Sequence, residues 1–351
     1  MSEKGKKEDE NFIKFKKDIE DMKQTVLFIG AGVNFTPNQK LLWGDLLNYL
    51  MEHATGKLKA LPEERMIITE ALMDEKSKHE TKDRLKLRLA ANQTFSSEVK
   101  ASIIKQLLGN LYIPLLQDFL YGWNVRSELQ KGCDNYVAGK DSKDTPFYGL
   151  FSIADFILSH DSVKAVVTYN YDNYLSSAIN LLKDNADYKP RISHPIIPLD
   201  IYSGWKDKPF KNDCFMIYHI HGMIHPGDGI TPHRSNQVVL SLEEYYDMAR
   251  DTYSWHSATQ IFYLTHFTCA FIGASLSDMT MQRVLHYANL KQSGENVYYL
   301  TAKTSDAESD EVLQKLKNSY LELLGMKVIY DTKGYENLYK QMNNIALLVL
   351  R

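Results

Sequence analysis

The stretch Val26-Leu27-Phe28-Ile29-Gly30-Ala31-Gly32-Val33-Asn34 gives the strongest indication of the fold. Four apolar residues run directly into Gly-Ala-Gly, a pattern typical of a buried parallel strand that ends in a tight glycine turn. Such a turn lets the backbone approach a phosphate closely, as in the first strand-to-helix turn of dinucleotide-binding sheets. The pattern alone leaves two interpretations open, because Gly-x-Gly also closes ordinary turns that bind nothing.

Three later stretches repeat this design, in which an apolar run ends in a polar or glycine-rich tip. They are Thr168-Tyr169-Asn170-Tyr171-Asp172, His219-Ile220-His221-Gly222 and Phe271-Ile272-Gly273-Ala274-Ser275-Leu276. Apolar strands alternate with segments of helical period through most of the chain, which predicts an α/β fold with a Rossmann-like, doubly wound parallel sheet. Ligands of such sheets bind beyond the carboxyl ends of the strands, so the four tips are expected to form one site.

The same patterns predict individual elements. Strands are expected at about 25–29, 163–168, 215–221, 267–273, 297–301 and 327–330, and helices at about 10–23, 43–54, 172–182, 278–290, 308–324 and 335–350. From about residue 57 to residue 145 strand signals are nearly absent and apolar residues recur at helical spacing, which predicts a helical insertion that flanks the site. Residues 131–144, rich in Gly, Asn, Asp and Lys, predict a loop within it. Residues 1–10 are predicted to be a disordered tail, and residues 11–351 one domain.

Composition excludes several classes of protein. The chain has 351 residues, is 44% hydrophobic and has a formal net charge of -3, so general affinity for nucleic acid or for membranes is not expected. No apolar run approaches the ~20 residues of a spanning helix, and the charged N-terminus is unlike a secretory signal. The three cysteines form no C-x-x-C pair, which favours a reducing cytoplasm.

The polar residues at the tips suit particular chemistry, and each has a simpler alternative. Asn170 can donate and accept hydrogen bonds, and His221 can act as a general base because histidine titrates near neutrality. Asp172 can bind an amide or a hydroxyl, or can merely cap a helix. His219, His221 and His225 can be core or surface residues, or zinc ligands. No cysteine or acidic residue is placed in the sequence to complete a zinc set with these three, the nearest acidic residue being Asp228, so we predict no metal site.

Taken together and in this order, the four stretches resemble the sirtuin family, over about residues 25–301. That family has Gly-Ala-Gly after the first strand, a Thr-x-Asn-x-Asp turn, a catalytic His before Gly, and a late Gly-x-Ser-Leu. The resemblance implies an NAD site. In that site Gly30, Ala31 and Gly32 would bind the pyrophosphate, and Gly273 and Ser275 would bind the adenosine. Asn170 would bind the nicotinamide ribose and an attacking water, and Asp172 would bind the carboxamide of nicotinamide. His221 would act as the general base. Asn34 and Thr168 lie within the same motifs and are also expected to bind NAD.

Departures from the family's pattern indicate the subtype. Protein-deacylating sirtuins carry a four-cysteine zinc module between the catalytic His and the late Gly-x-Ser, where this chain has only Cys269. The acidic-Phe-Arg segment is replaced by Leu42-Trp43-Gly44-Asp45, and the helical insertion is unlike deacylases. These features are similar to the sirtuin-like NAD hydrolases of bacterial antiviral defence. That similarity implies an NAD glycohydrolase acting as an abortive-infection antiphage effector, assembled as a homo-oligomer with a partner such as a HerA-type ATPase or a phage-sensing subunit.

Two other functions stay open from the sequence. One is an NAD-dependent protein deacylase, which the missing zinc module disfavours. The other is a nonenzymatic sensor of NAD or ADP-ribose, which the presence of both Asn170 and His221 disfavours because binding alone needs neither. Since both residues lie at strand ends, we expect their side chains to face the cleft, so that replacing them with alanine opens no core cavity.

Overall fold

The computed structural model describes residues 9–36, 42–57, 95–192, 196–202, 214–226, 238–250, 254–276, 278–288, 290, 296–303 and 308–348, although not the side chains of 55–57, 123, 308–311 and 346–348. The predictions of a tail over most of residues 1–10 and of helix in the first part of the insertion therefore fall outside the described residues.

The strands of the described residues form one sheet in which every pairing is parallel. The chain runs from the central strand β1 to β2 beside it, continues to the edge strand β3 and comes back to β4 between β3 and β2. It then crosses to the other side of β1 at β5, so the sheet is doubly wound as predicted. The order is β3-β4-β2-β1-β5-β6-β7. The bounds are β1 Thr25–Ile29, β2 Val163–Thr168, β3 Ile197–Ile201, β4 Cys214–His219, β5 Thr268–Ile272, β6 Val297–Ala302 and β7 Lys327–Asp331.

Helices cover both faces of this sheet. They are α1 Glu10–Glu20, α2 Trp43–Lys57, α3 Ser97–Leu108, α4 Tyr112–Tyr121, α5 Trp123–Val137, α6 Tyr148–Ile157, α7 Tyr174–Asp184, α8 Leu242–Arg250, α9 Trp255–His266, α10 Met279–Ala288, α11 Glu308–Leu323 and α12 Tyr335–Leu348. Side chains of β1 alternate between two cores: Leu27 and Ile29 pack with α6, α7 and α12, whereas Val26 and Phe28 pack with α9 and α10. Burial on both faces explains why β1 is apolar from Val26 to Ile29.

The described part of the insertion, residues 95–145, contains α3, α4 and α5 and no strand, in agreement with the helical prediction. A third core joins α2, α3 and α4 to Tyr171, Ile224 and Leu240, which follow strands β2 and β4. The insertion therefore packs over the ends of these strands and forms a wall above the sheet.

The predicted loop at 131–144 is wrong in its first half, because α5 continues to Val137. Val125, Leu129 and Cys133, four residues apart, are buried on one helix face and stabilise this turn despite its polar composition. Gly132 fits there because a Cβ would lie 2.4 Å from the Pro146 carbonyl oxygen.

Other elements lacked a sequence signal. The sequence did not predict β3, α6, α8 or α9, whereas the bounds of the predicted elements agree within about three residues. Helix α6 is buried on almost every side, so it has no polar face to reveal its period. Strand β3 lies at the sheet edge and contains Pro198, which an edge strand tolerates. In the residues described, no helix is long and apolar enough to cross a membrane.

Candidate active site

A cavity of about 980 Å³ lies over the carboxyl ends of the strands, at the upper end of the size range of small-molecule sites. Most of the predicted site residues line it directly: Gly30, Ala31, Gly32, Asn170, Asp172, His221, Gly273 and Ser275. Two lie behind this layer and support it. Asn34 Nδ2 donates to Asp172 Oδ2 at 2.8 Å, and Thr168 Oγ1 accepts from the backbone N of Asn170 at 3.1 Å.

The glycines after β1 and β5 pack against each other. The amide of Gly30 donates to the Ile272 carbonyl at 3.1 Å, and that of Gly32 to the Gly273 carbonyl at 2.9 Å. A Cβ on Gly30 would lie 2.7 Å from Ala274 Cα, and one on Gly273, whose φ is +65°, would lie 2.7 Å from Val33 N. The amides of Gly30 and Gly32 thus already donate within the protein, and the binding of a pyrophosphate at Gly30, Ala31 and Gly32 stays a prediction. These glycines allow the loops after β1 and β5 to pack closely, and they leave a cavity surface without side chains.

Asp172 is a buried carboxylate with two donors. Its Oδ1 accepts from the backbone N of Tyr174 at 3.0 Å, at the start of α7, and its Oδ2 accepts from Asn34. Burial raises the pKa of Asp172 to about 6, against the opposing effects of Tyr174 N, His219 and Asn34. Asp172 therefore accepts from the first amide of α7, as the helix-capping alternative predicts, while its predicted role in NAD binding stays a prediction. Burial makes its ionised form energetically costly.

Asn170 is held through its backbone. Its N–H donates to Thr168, and its carbonyl accepts from Nδ1 of His219 at 3.3 Å. On its other side His219 contacts Asp200 of β3, with Nε2 2.9 Å from Oδ1, and Ser176 Oγ donates to the same carboxylate at 2.6 Å. His219 is a buried residue that supports Asn170 from behind, rather than a ligand in the cavity.

His221 lies at the cavity inside a cage of three tyrosines, Tyr169, Tyr171 and Tyr245, whose ring centroids are 5.4, 6.4 and 5.5 Å from that of the imidazole. The side chain is buried, and its Nε2 has no hydrogen-bond partner among the described residues. The expectation that alanine would open no cavity at this position is therefore wrong. Burial lowers the pKa of His221 below its usual value and outweighs the raising effect of Asp278, which favours the neutral ring that can accept a proton.

Asp278 and Tyr245 also line the cavity, although the sequence patterns indicated no functional role for either residue. Asp278 Oδ2 lies 3.6 Å from His221 Nε2 and accepts from the Tyr245 hydroxyl at 2.7 Å. Its Oδ1 accepts from the first amides of α10, those of Thr280 and Met281. Burial raises the pKa of Asp278, but His221 and these donors outweigh it and hold the pKa below its usual value. In the sequence, Asp278 before a helical segment indicates only a helix cap.

His219 and His221 face different carboxylates. His219 faces Asp200 and His221 faces Asp278, two carboxylates that come from other parts of the chain and that sequence proximity did not show. Over the residues described here, no group of three or more His, Cys, Asp or Glu side chains is placed to hold a metal ion.

Two further regions complete the cavity wall. Ser97 and Glu98 of α3 and Phe119 of α4 line it opposite the sheet. At the end over β6 it is lined by the side chains of Tyr299, Thr301, Lys303, Lys317 and Tyr335.

Residues 164–329 match the family model of the SIR2-like domain. The matched segment runs from β2 into β7 and includes Asn170, His221, Gly273 and Asp278, whereas the glycine turn after β1 precedes it. Members of this family are NAD-dependent enzymes, and the match supports an NAD-related activity for this chain. Among curated proteins, none is significantly similar to the chain in sequence.

Proposed function

We propose that the protein is an NAD glycohydrolase, which cleaves NAD to nicotinamide and ADP-ribose. The observation that carries the proposal is a buried His221 beside the carboxylate of Asp278, in a dinucleotide-sized cavity that also contains Asn170 and the paired glycine loops. Buried polar atoms support the fit of a ligand. His221 Nε2 and Asn34 Oδ1 have no partner among the described residues, and such atoms usually find one.

The reaction breaks the bond between the nicotinamide nitrogen and the anomeric carbon of its ribose. Nicotinamide leaves as a neutral molecule with the bonding electron pair, and a water oxygen bonds to the anomeric carbon as it loses a proton. The anomeric carbon passes through an oxocarbenium-like state, as in other glycoside hydrolysis. Because the cationic pyridinium is already a good leaving group, the protein must chiefly orient the substrate and the water.

Each residue has a separate part in this scheme. His221 takes the proton from the water, and Asp278, 3.6 Å away, stabilises the imidazolium that forms. The Asn170 side chain orients the water and the ribose, while its backbone is fixed by Thr168 and His219. Asp172 accepts from the carboxamide of nicotinamide with its remaining lone pairs. The tyrosine cage keeps bulk water from the imidazole and strengthens its interaction with Asp278.

The biological role belongs to the same proposal. The resemblance to sirtuin-like defence proteins supports an abortive-infection effector that depletes NAD, works as a homo-oligomer and is controlled by a partner protein. A test is the survival of bacteria that express the chain with its genetic neighbours during phage infection, beside measured cellular NAD. Unchanged NAD and unchanged plaque counts would contradict this role without touching the proposed chemistry.

The chemistry is tested by nicotinamide release from NAD, measured by chromatography with the purified full chain. His221→Gln and Asn170→Ala should reduce the rate by about 10²–10⁴, as loss of a general base or its oriented water does, and should still bind NAD. His286→Gln, at an exposed position of α10, is the matched control and should leave the rate unchanged. Near-normal turnover in folded His221→Gln would contradict the proposal.

A second arm adds an acetyl-lysine peptide to distinguish the alternatives. Release that is independent of the peptide supports a hydrolase. Release only with the peptide, together with transfer of its acetyl group, would instead show a deacylase. Tight binding of NAD by the wild type with no nicotinamide released in either arm would show a sensor.

A further inference from the structure

The end of the cavity over β6 is rich in lysine. Lys303 follows β6, Lys317 projects from α11, and Lys143 lies in the loop before α6, all lining the same cavity. Neighbouring strands are about 4.8 Å apart, so β6, two strands from β1, lies ~10 Å from the glycine loop at the centre of the sheet. His221 and Asn170 follow β4 and β2, on the opposite side of β1.

Lys317 is the residue that points to a ligand. Its Nζ donates to the Tyr299 hydroxyl at 2.8 Å and lies 5.1 Å from the centre of the same ring. The side chain is half-buried, and this burial lowers the pKa of Lys317 despite the opposing effect of Tyr335. Among the described residues no carboxylate forms an ion pair with Lys317, so its charge is buried against neutral groups only.

The described carboxylates that line the cavity do not form an ion pair with Lys317. Glu336 lines the cavity but accepts from Lys340 at 2.7 Å, and the hydrogen bond from Lys340 is the main cause that lowers the pKa of Glu336. Glu98 lines the wall near Tyr245, at the His221 end, where it acts on the Tyr245 hydroxyl. Two hydroxyl groups also lie at this end of the cavity. They are Thr301 Oγ1 and Tyr335 OH, which are 3.3 Å apart. The arrangement offers a cation and two hydroxyls to an incoming group.

We infer that this end of the cavity binds a phosphate carried on the adenosine ribose, so that a 2′-phosphorylated dinucleotide is preferred over NAD. The inference rests on the proposed function for the direction in which the dinucleotide lies. With nicotinamide at His221 and the pyrophosphate near the glycine loops, the adenosine half extends over β5 and β6. A phosphate there would receive charge-assisted hydrogen bonds from Lys317 and the hydroxyls, which offset the cost of burying the ammonium.

Binding is measured by calorimetry with two products that cannot be cleaved, ADP-ribose and 2′-phospho-ADP-ribose. The wild type should bind the phosphorylated compound at least about 10-fold more tightly, the value of one hydrogen bond to a charged group. Lys317→Met, which keeps the length of the side chain, should abolish this preference and leave ADP-ribose affinity within about 3-fold. Lys317→Arg should retain the preference, and Lys164→Met, at an exposed lysine outside the cavity, is the matched control for lost charge.

The outcomes separate this inference from the proposed function. Equal affinity of the wild type for the two compounds would overturn the inference, as would a Lys317→Met protein that loses both affinities equally. Nicotinamide release is then compared with NAD and its 2′-phosphate as substrates. A phosphate preference in binding without any release would support the inference and contradict hydrolysis, whereas equal kcat/KM for the two substrates would support hydrolysis and overturn the inference.

Discussion

Replacing Asp172 with asparagine should make the protein more stable at alkaline pH while it impairs NAD binding. The carboxyl is buried and its pKa is raised by that burial from 3.8 to about 6. The native state therefore binds a proton more readily than the unfolded chain, and the stability that this provides is present in full below pH 3.8. It is lost as the pH rises through about 6, because the folded protein must then hold a buried charge.

The magnitude follows from the two pKa values. A difference of about two units corresponds to roughly 3 kcal/mol between the fully protonated and fully ionised limits. Between pH 5 and pH 8 the part that is lost is about 1.4 kcal/mol, because the unfolded carboxyl is already ionised at pH 5. Asparagine keeps one acceptor for Tyr174 N, and Asn34 can turn its unpartnered Oδ1 toward the new amide. The substitution therefore leaves the hydrogen bonds nearly complete.

Urea denaturation at pH 5 and pH 8 measures the effect as the difference in the free energy of unfolding between Asp172→Asn and the wild type. This difference should become more favourable to the variant by about 1.4 kcal/mol at the higher pH. Other titrating groups are shared by both proteins and largely cancel. Asp247→Asn, at an exposed position of α8, is the matched control, since it removes a carboxyl without removing a buried charge. A difference for Asp172→Asn that is constant between the two pH values, or that changes in the opposite direction, would refute the reasoning.

Three further results are expected. The acid limb of kcat/KM for nicotinamide release should lie below pH 6.5, because burial lowers the pKa of His221 from that value; a limb above pH 7 would contradict a buried neutral base. Gly273→Ala should destabilise the protein in urea by more than Gly139→Ala: both have positive φ, +65° and +71°, but only the first Cβ meets other atoms, at 2.7 Å. Overpacking at Gly273 should cost about 1–3 kcal/mol beyond the backbone strain that both variants share. Equal losses of unfolding free energy in the two variants would contradict the close contact between the two glycine loops. His219→Gln should lower kcat with little change in KM, because it loosens the carbonyl of Asn170 without touching the substrate, and an unchanged kcat would show that the support is not needed.

The sheet could be predicted because its strands are buried on both faces. In buried parallel strands such as β1 and β5 a first threonine is followed by four apolar residues, and each apolar run ends where the chain must turn. The polar tips then follow from strand direction alone, since parallel strands end at one edge of the sheet. This is why Gly30, Asn170 and His221 could be placed in one cavity from sequence.

The partners of the tip residues could not be predicted, because they come from segments whose position depends on how the loops fold. Tyr245 belongs to α8 and Asp278 precedes α10, yet both contact His221. From the neighbouring residues in the sequence, Asp278 can be recognised only as a helix cap. The roles of His219 and His221 were also ambiguous in sequence. Strand β4 ends at His219, so the alternation of side chains in a strand does not extend to His221, and two histidines two residues apart face different carboxylates.

The lining of the cavity comes from almost the whole length of the chain. Gly30 stands near its beginning and Tyr339, on α12, near its end, with Asn170 and His221 between them. During synthesis on a ribosome the first glycine turn emerges long before the helix that closes the opposite side. A nascent chain therefore has no complete cavity until α12 has been made and has packed against the sheet. For the proposed hydrolysis, this order of synthesis means that the cavity lined by His221 is completed only after α12 has folded.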